Sequence, residues 1–120
     1  MTAPNIAGLT TVTGKVAGLA LGTSAADLVA NASSSNKVLK INSLIVSNID
    51  GTSSATCDIY IRKNDTTNFY LLKEGIVPAT VSLVVLNKET QVYLEENDKI
   101  QAQASAAGDL EAIVSYEEIS

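Results

Sequence analysis

Apolar and polar residues alternate with a period of two along most of this chain, the spacing of strands with one buried and one wet face. In Thr56–Lys63, Cys57, Ile59 and Ile61 fall on one side and Asp58, Tyr60 and Arg62 on the other. The last thirty residues repeat the pattern in three short strands. Val92 and Leu94 oppose Tyr93 and Glu95; Ile100, Ala102 and Ala104 oppose Lys99, Gln101, Gln103 and Ser105. Leu110, Ala112, Val114 and Tyr116 then oppose Glu111, Ile113, Ser115 and Glu117. Further strands are predicted at Lys15–Leu21, Phe69–Lys73 and Val81–Leu86. Residues 25–31 fit either a short strand or one helical turn. The longest signal, Val38–Ile49, sets Leu39, Ile41 and Ile45 on one side and Leu44 and Val46 on the other. Its second half is therefore expected to be covered on both faces, by the N-terminal arm or by another subunit.

Turn chemistry separates these segments. Asp50-Gly51, Asn64-Asp65, Glu96-Asn97-Asp98 and Ala107-Gly108-Asp109 supply residues that tolerate tight turns, and Ala32–Asn36 reads as a surface loop. Pro78 cannot donate to a ladder, so Ile76-Val77 is expected in an edge or a connection. About eight or nine short strands at nearly regular spacing, without an amphipathic helix, predict an all-β antiparallel β-sandwich, jelly-roll or Greek-key like. Residues 1–14, punctuated by Pro4, Gly8 and Gly14, are expected to form an extended N-terminal arm. Residues 15–120 are expected to form a single sandwich domain, in keeping with a length of 120 residues.

Composition narrows the chemistry. Hydrophobic residues make up 46% of the chain but aromatics only 4%, so the core must be aliphatic and a ring-lined ligand pocket is disfavoured. The net charge is −5 and the basic residues are scattered, which opposes binding to nucleic acid or to an anionic membrane surface. No secretory signal is expected at the amino terminus, and no apolar run approaches the roughly 20 residues of a spanning helix. There is no His, so Ser-His-Asp and Cys-His arrangements cannot form, and Cys/His zinc sites are lacking. Neither a GxxxxGK[ST] loop nor a GxGxxG motif is present. Cys57, the sole cysteine, is expected to be a small buried hydrophobe.

Candidate functional residues are accordingly few. Glu95, Glu96 and Asp98 cluster at one corner, where oxygen ligands could hold Ca²⁺ or simply keep a hairpin end solvated. Tyr60 and Tyr93 occupy polar-facing strand positions, which suits either exposed interface anchors or rim-covering side chains. In the arm, Thr2, Ile6, Leu9 and Val12 suit addition of an extended segment to a neighbour's sheet edge. No catalytic, cofactor-binding or metal-binding residue is assigned, and no enzyme activity is expected.

Three segments carry a resemblance: the opening MTAPNIAGLTTVTGK, the internal KVLKINSLIVSNIDGTSSAT and the closing VYLEENDKIQAQASAAGDLEAIVSYEEIS. Together they resemble a family of small structural proteins of tailed bacteriophages, common among cyanophages and other marine phages. The ending is the most specific part, and the likeness covers essentially the whole length. Asn97 departs from the family's pattern, which more often has Gly in that turn. The resemblance implies a virion localisation with no enzymatic residue. It implies an accessory protein of the capsid exterior or part of the tail; the arm and the two-sided apolar strand Leu44–Ile49 favour a capsid decoration (cement) protein that binds the outside of the head and stabilises it. The expected partners are the major capsid protein and copies of itself, as a homotrimer, since closed association around a symmetry axis is the rule for small oligomers. The alternatives are a tail, neck or baseplate component contacting tail proteins, and a host-surface or carbohydrate-binding module using the loops at Ser33–Asn36, Gly51–Ala55 and Asn64–Asn68.

Overall fold

A computed structural model describes Gly8 and residues 11–120; Thr2, Ile6 and Leu9 of the expected arm lie outside the described residues. Nine strands follow in order: β1 (Val12–Ala20), β2 (Ala26–Ala30), β3 (Val38–Asn48), β4 (Ala55–Lys63), β5 (Thr67–Val77), β6 (Ser82–Leu86), β7 (Val92–Leu94), β8 (Lys99–Ala104) and β9 (Leu110–Ile119). They form two antiparallel sheets, one ordered β1-β9-β3-β6 with β7 also on β3, the other β2-β8-β4-β5. The all-β antiparallel sandwich read from the sequence is the observed fold.

The topology has a simple logic. β7 lies on Leu39–Ile41 and β6 on Leu44–Ser47, so they act as two halves of one strand beside β3. The first strand then pairs with the last (β1 with β9) and the second with the next to last (β2 with β8). Inward from these, β3 pairs with β6 and β7, and β4 with β5. A long hairpin wrapped into two sheets in this way is a jelly roll.

Between the sheets lies an aliphatic core that includes Leu21, Ile41, Leu44, Ile59, Leu94, Ile100, Leu110 and Val114. Each is removed from water, a burial that stabilises by about 1.5–3 kcal/mol per large side chain. Ala102, Ala104 and Ala112 are buried in the same core. Two buried asparagines fasten the connections. Asn31 donates through Nδ2 to the carbonyls of Lys37 (2.8 Å) and Leu94 (3.1 Å). Asn48 donates to those of Ser53 (3.0 Å) and Val77 (2.9 Å) and accepts from the Asp50 amide.

Four details differ from the sequence reading or settle it. Residues 25–31 contain a strand, β2, rather than a helical turn. β1 begins at Val12, so Val12, Thr13 and Gly14 are strand residues paired with Ile119, Glu118 and Glu117 and not part of an arm. β5 runs past Lys73 to Val77 by way of register shifts on both sides of Ile59. In β3 a bulge at Asn42 resets the phase: Ile41 pairs with Tyr116 and Ser43 with Ser115, leaving Asn42 extra. Leu39 and Ile41 before the bulge, and Leu44 and Val46 after it, therefore all enter the core. The two-sided apolar pattern of this strand is thus mostly a phase slip: in its second half only Ile45 remains on the far side, and at its start Val38 does.

Candidate interaction surface

The outward face of the first sheet carries an aliphatic row at right angles to its strands. Gly18 pairs with Ile113, Ile113 with Ile45, and Ile45 with Val84, so the four lie abreast on one face across β1, β9, β3 and β6. Ile113 is 49% and Val84 55% exposed. Val16, 64% exposed, stands one step along β1 on the same face. Beside the row, where Gly18 and Ala20 offer little or no side chain, a shallow depression of about 430 Å³ is bordered by Ser47, Glu111 and Ile113. Val12 begins a second row on this face, continued by Ile119 and Val38. Tyr93 ends a third, Gly14–Glu117–Lys40–Tyr93, and is half exposed.

The outward face of the second sheet is different. Tyr60 points outward as its position in β4 predicts, yet it is only 6% exposed. It pairs with Tyr70 of β5, with ring centroids 5.2 Å apart and planes tilted by 57°, and its hydroxyl donates to Gln101 Oε1 at 2.7 Å. Gln101 in turn donates to Asp27 Oδ1 at 2.8 Å. Desolvation raises the Tyr60 phenol above its ordinary pKa. The expected exposed anchor at Tyr60 is therefore corrected: Tyr60 is internally satisfied, and the ring that meets solvent there is Tyr70. Around the pair, Lys99 and Arg62 both reach Asp65 Oδ1, at 3.0 and 3.1 Å, and hold that carboxyl below its usual range. Asp58 accepts the Glu74 amide at 2.7 Å where β5 bulges.

At the acidic corner, the cation is part of the protein. Lys63 Nζ lies 2.7 Å from Glu95 Oε1 and 2.8 Å from Asp98 Oδ2, and these bonds raise its pKa. Asp98 is buried and also accepts the amides of Asn64 (2.8 Å) and Glu95 (2.9 Å). These contacts make Asp98 a turn-fastening group. Among the described residues, no group of three or more His, Cys, Asp and Glu side chains comes together in a way that could hold a metal ion. Asn97 has φ 69°, the left-handed region that glycine adopts without cost and that asparagine tolerates better than most residues.

Cys57 is buried in the core, and desolvation pushes its thiol up to about 11, so it is packed as the small hydrophobe the alternation implied. Of the predicted contact residues, Val12 and Tyr93 share one sheet face, while Tyr60 sits on the opposite sheet. The sequence reading did not single out Ile45, Val84, Ile113 and Val16 as contacts. Their signal was available only for Ile113, an isoleucine flanked by Glu111 and Ser115 at outward positions. Among the described residues, no helix is long and apolar enough to cross a membrane. No protein-family model and no curated protein sequence matches this chain.

Proposed function

We propose that this protein is a structural component of a tailed-phage virion, a decoration protein that binds the outside of the head through the outward face of its first sheet. The observation that carries this reading is the aliphatic row that crosses four strands of that face, whereas the centre of the other outward face is covered by its own hydrogen bonds and only Tyr70 and Ile76 of its edge strand β5 stand exposed there among the large apolar side chains. An apolar face rimmed by polar residues suits attachment to another protein surface. The jelly roll also serves in viral shell and lectin domains, which is an analogy of fold and carries less weight than the face itself. The sequence resemblance to phage structural proteins agrees with the same reading.

Its mechanism is mass action. A protein that binds only the assembled shell stabilises that shell by an amount set by its concentration relative to its dissociation constant. No reaction is required, and the partners are the shell protein and further copies of this chain. Quantitative mass spectrometry of purified particles tests the proposal. Hundreds of copies per particle, with loss of head stability when the gene is deleted, are expected. A handful of copies per particle would instead assign the protein to the tail, neck or baseplate. Absence from mature particles would overturn both.

A further inference from the structure

The free edge of β1 has an orientation that can be worked out from the β1–β9 ladder. Thr11 and Ser120 exchange both backbone bonds at 2.9 Å, and the Leu21 amide donates to the Leu110 carbonyl at 2.9 Å. In an antiparallel ladder, such doubly bonded positions recur at every second residue. The odd-numbered residues of β1 therefore turn their amide and carbonyl toward β9, and Val12, Gly14, Val16, Gly18 and Ala20 turn theirs outward. Among the described residues, no strand lies on that side of β1.

Among the described residues, this edge lacks the protection that the others carry. β2 is five residues long with a register break between Asp27 and Val29. β5 is broken twice, holds Glu74 at φ 49° and is followed by Pro78. β6 has five residues and a shift opposite Leu44 and Ile45. β1, by contrast, keeps one unbroken register over nine residues. Its single charged residue, Lys15, is turned back onto Glu118 Oε2 at 2.9 Å. Natural proteins shorten, bend or charge their exposed edges to prevent pairing, and glycines within a strand often mark close approach of another backbone.

We propose that β1 pairs antiparallel with β1 of a second copy across a two-fold axis at Val16, joining the two first sheets into one continuous sheet. The register follows from the parity. With Val16 opposite Val16, Gly14 faces Gly18 and Val12 faces Ala20, and all of these are positions whose backbone groups point outward. On the order of ten hydrogen bonds can then close along an edge about 30 Å long. Lys15 faces Ala17, so no like charges stand directly opposite. The one charge of the edge, Lys15, is already paired with Glu118 and is not left to select a charged peptide, and a two-fold contact is closed, which limits the pairing to two chains. This pairing goes beyond the virion reading and does not depend on it.

Light scattering after size-exclusion chromatography of the full chain tests the pairing. At micromolar concentration, the expected mass is twice the 12.5 kDa of one chain. Val16→Pro removes an outward amide and no β1–β9 bond. It should raise the dissociation constant by about a hundredfold while leaving the circular-dichroism spectrum intact. Val16→Cys places two thiols beside the axis with Cα atoms about 5.5 Å apart, within disulfide reach, so oxidation should give a covalent dimer. Thr13→Cys, which faces Leu19 of the second copy, should not. A monomeric or trimeric parent, a dimer that survives Val16→Pro, or equal cross-linking at residues 13 and 16 would each overturn it.

Discussion

The two outward faces of this sandwich are built from the same kind of strand but finished differently. On the second sheet, Tyr60, Tyr70, Gln101 and Asp27 form a connected layer, and Arg62, Lys99 and Asp65 extend it. On the first sheet, Gly18, Ile113, Ile45 and Val84 stand abreast, with Ile113 and Val84 about half exposed. Polar groups that satisfy one another contribute to the stability of the isolated domain. Exposed aliphatic groups contribute little to it, and their transfer from water is left for an association step. The contrast separates a face whose centre maintains the fold, with Tyr70 and Ile76 exposed only on its edge strand, from one whose aliphatic row crosses every strand of the sheet's main path.

Substitutions should split along the same line. Tyr60→Ala has the largest expected effect, because it removes a buried ring and strands Gln101: stability should fall by about 3 kcal/mol, read as a drop of about 10 °C in the melting temperature. Tyr60→Phe keeps the ring and removes only the 2.7 Å bond to Gln101, and should cost about 1 kcal/mol in a denaturant titration. A comparable loss for the two variants would mean that the ring contributes nothing beyond its hydroxyl.

A smaller effect is expected from the ion pair that ties β1 to β9. Glu118 accepts from Lys37 at 2.8 Å and Lys15 at 2.9 Å, and both bonds hold its carboxyl below the ordinary 4.5. A lowered carboxylate pKa means that the unfolded chain binds the proton more readily. The stabilisation is therefore present above about pH 4.5 and is lost as the pH falls through the lowered folded value. Glu118→Gln should remove about 0.5 kcal/mol at neutral pH and flatten the stability–pH curve below that point. An unchanged slope in acid would show that other carboxylates control it.

Ile113→Thr completes the comparison from the other sheet. It keeps a β-branched residue in the strand and should change the stability of the isolated protein by about 0.5 kcal/mol at most. Binding to purified heads, measured by co-sedimentation, should nevertheless weaken by about tenfold. Undiminished binding by a doubly substituted Ile113→Thr, Val84→Thr chain would remove the first sheet's face from the interaction.

Much of the fold was legible because alternation is a local property. The cleanly alternating strands announced their inward sets, as Ile100, Ala102 and Ala104 or Leu110, Ala112 and Val114 do, and the turns carried residues suited to them. The candidate surface was less legible. Ile45 shared a parity with Leu39 and Ile41, and only the extra residue at Asn42 separates them. Asn42 looks like any polar strand residue. What makes it a bulge is its position opposite β9, held by its own bond to Glu117 at 3.1 Å and by one accepted from Gln91 at 2.9 Å.

The sequence by itself determined that this chain forms strands, that its core is aliphatic and that it carries no histidine chemistry. These follow from side-chain type and from a period read within a few neighbouring residues. Tertiary structure decided which strands lie side by side, where the phase slips, that Tyr60 is covered and that Ile113 is not. Those outcomes depend on residues far apart in the chain being brought into register, such as Tyr60 with Tyr70 and Gln101, or Gly18 with Ile113. Exposure is a property of the neighbour across the ladder, and a strand read alone does not specify its neighbour.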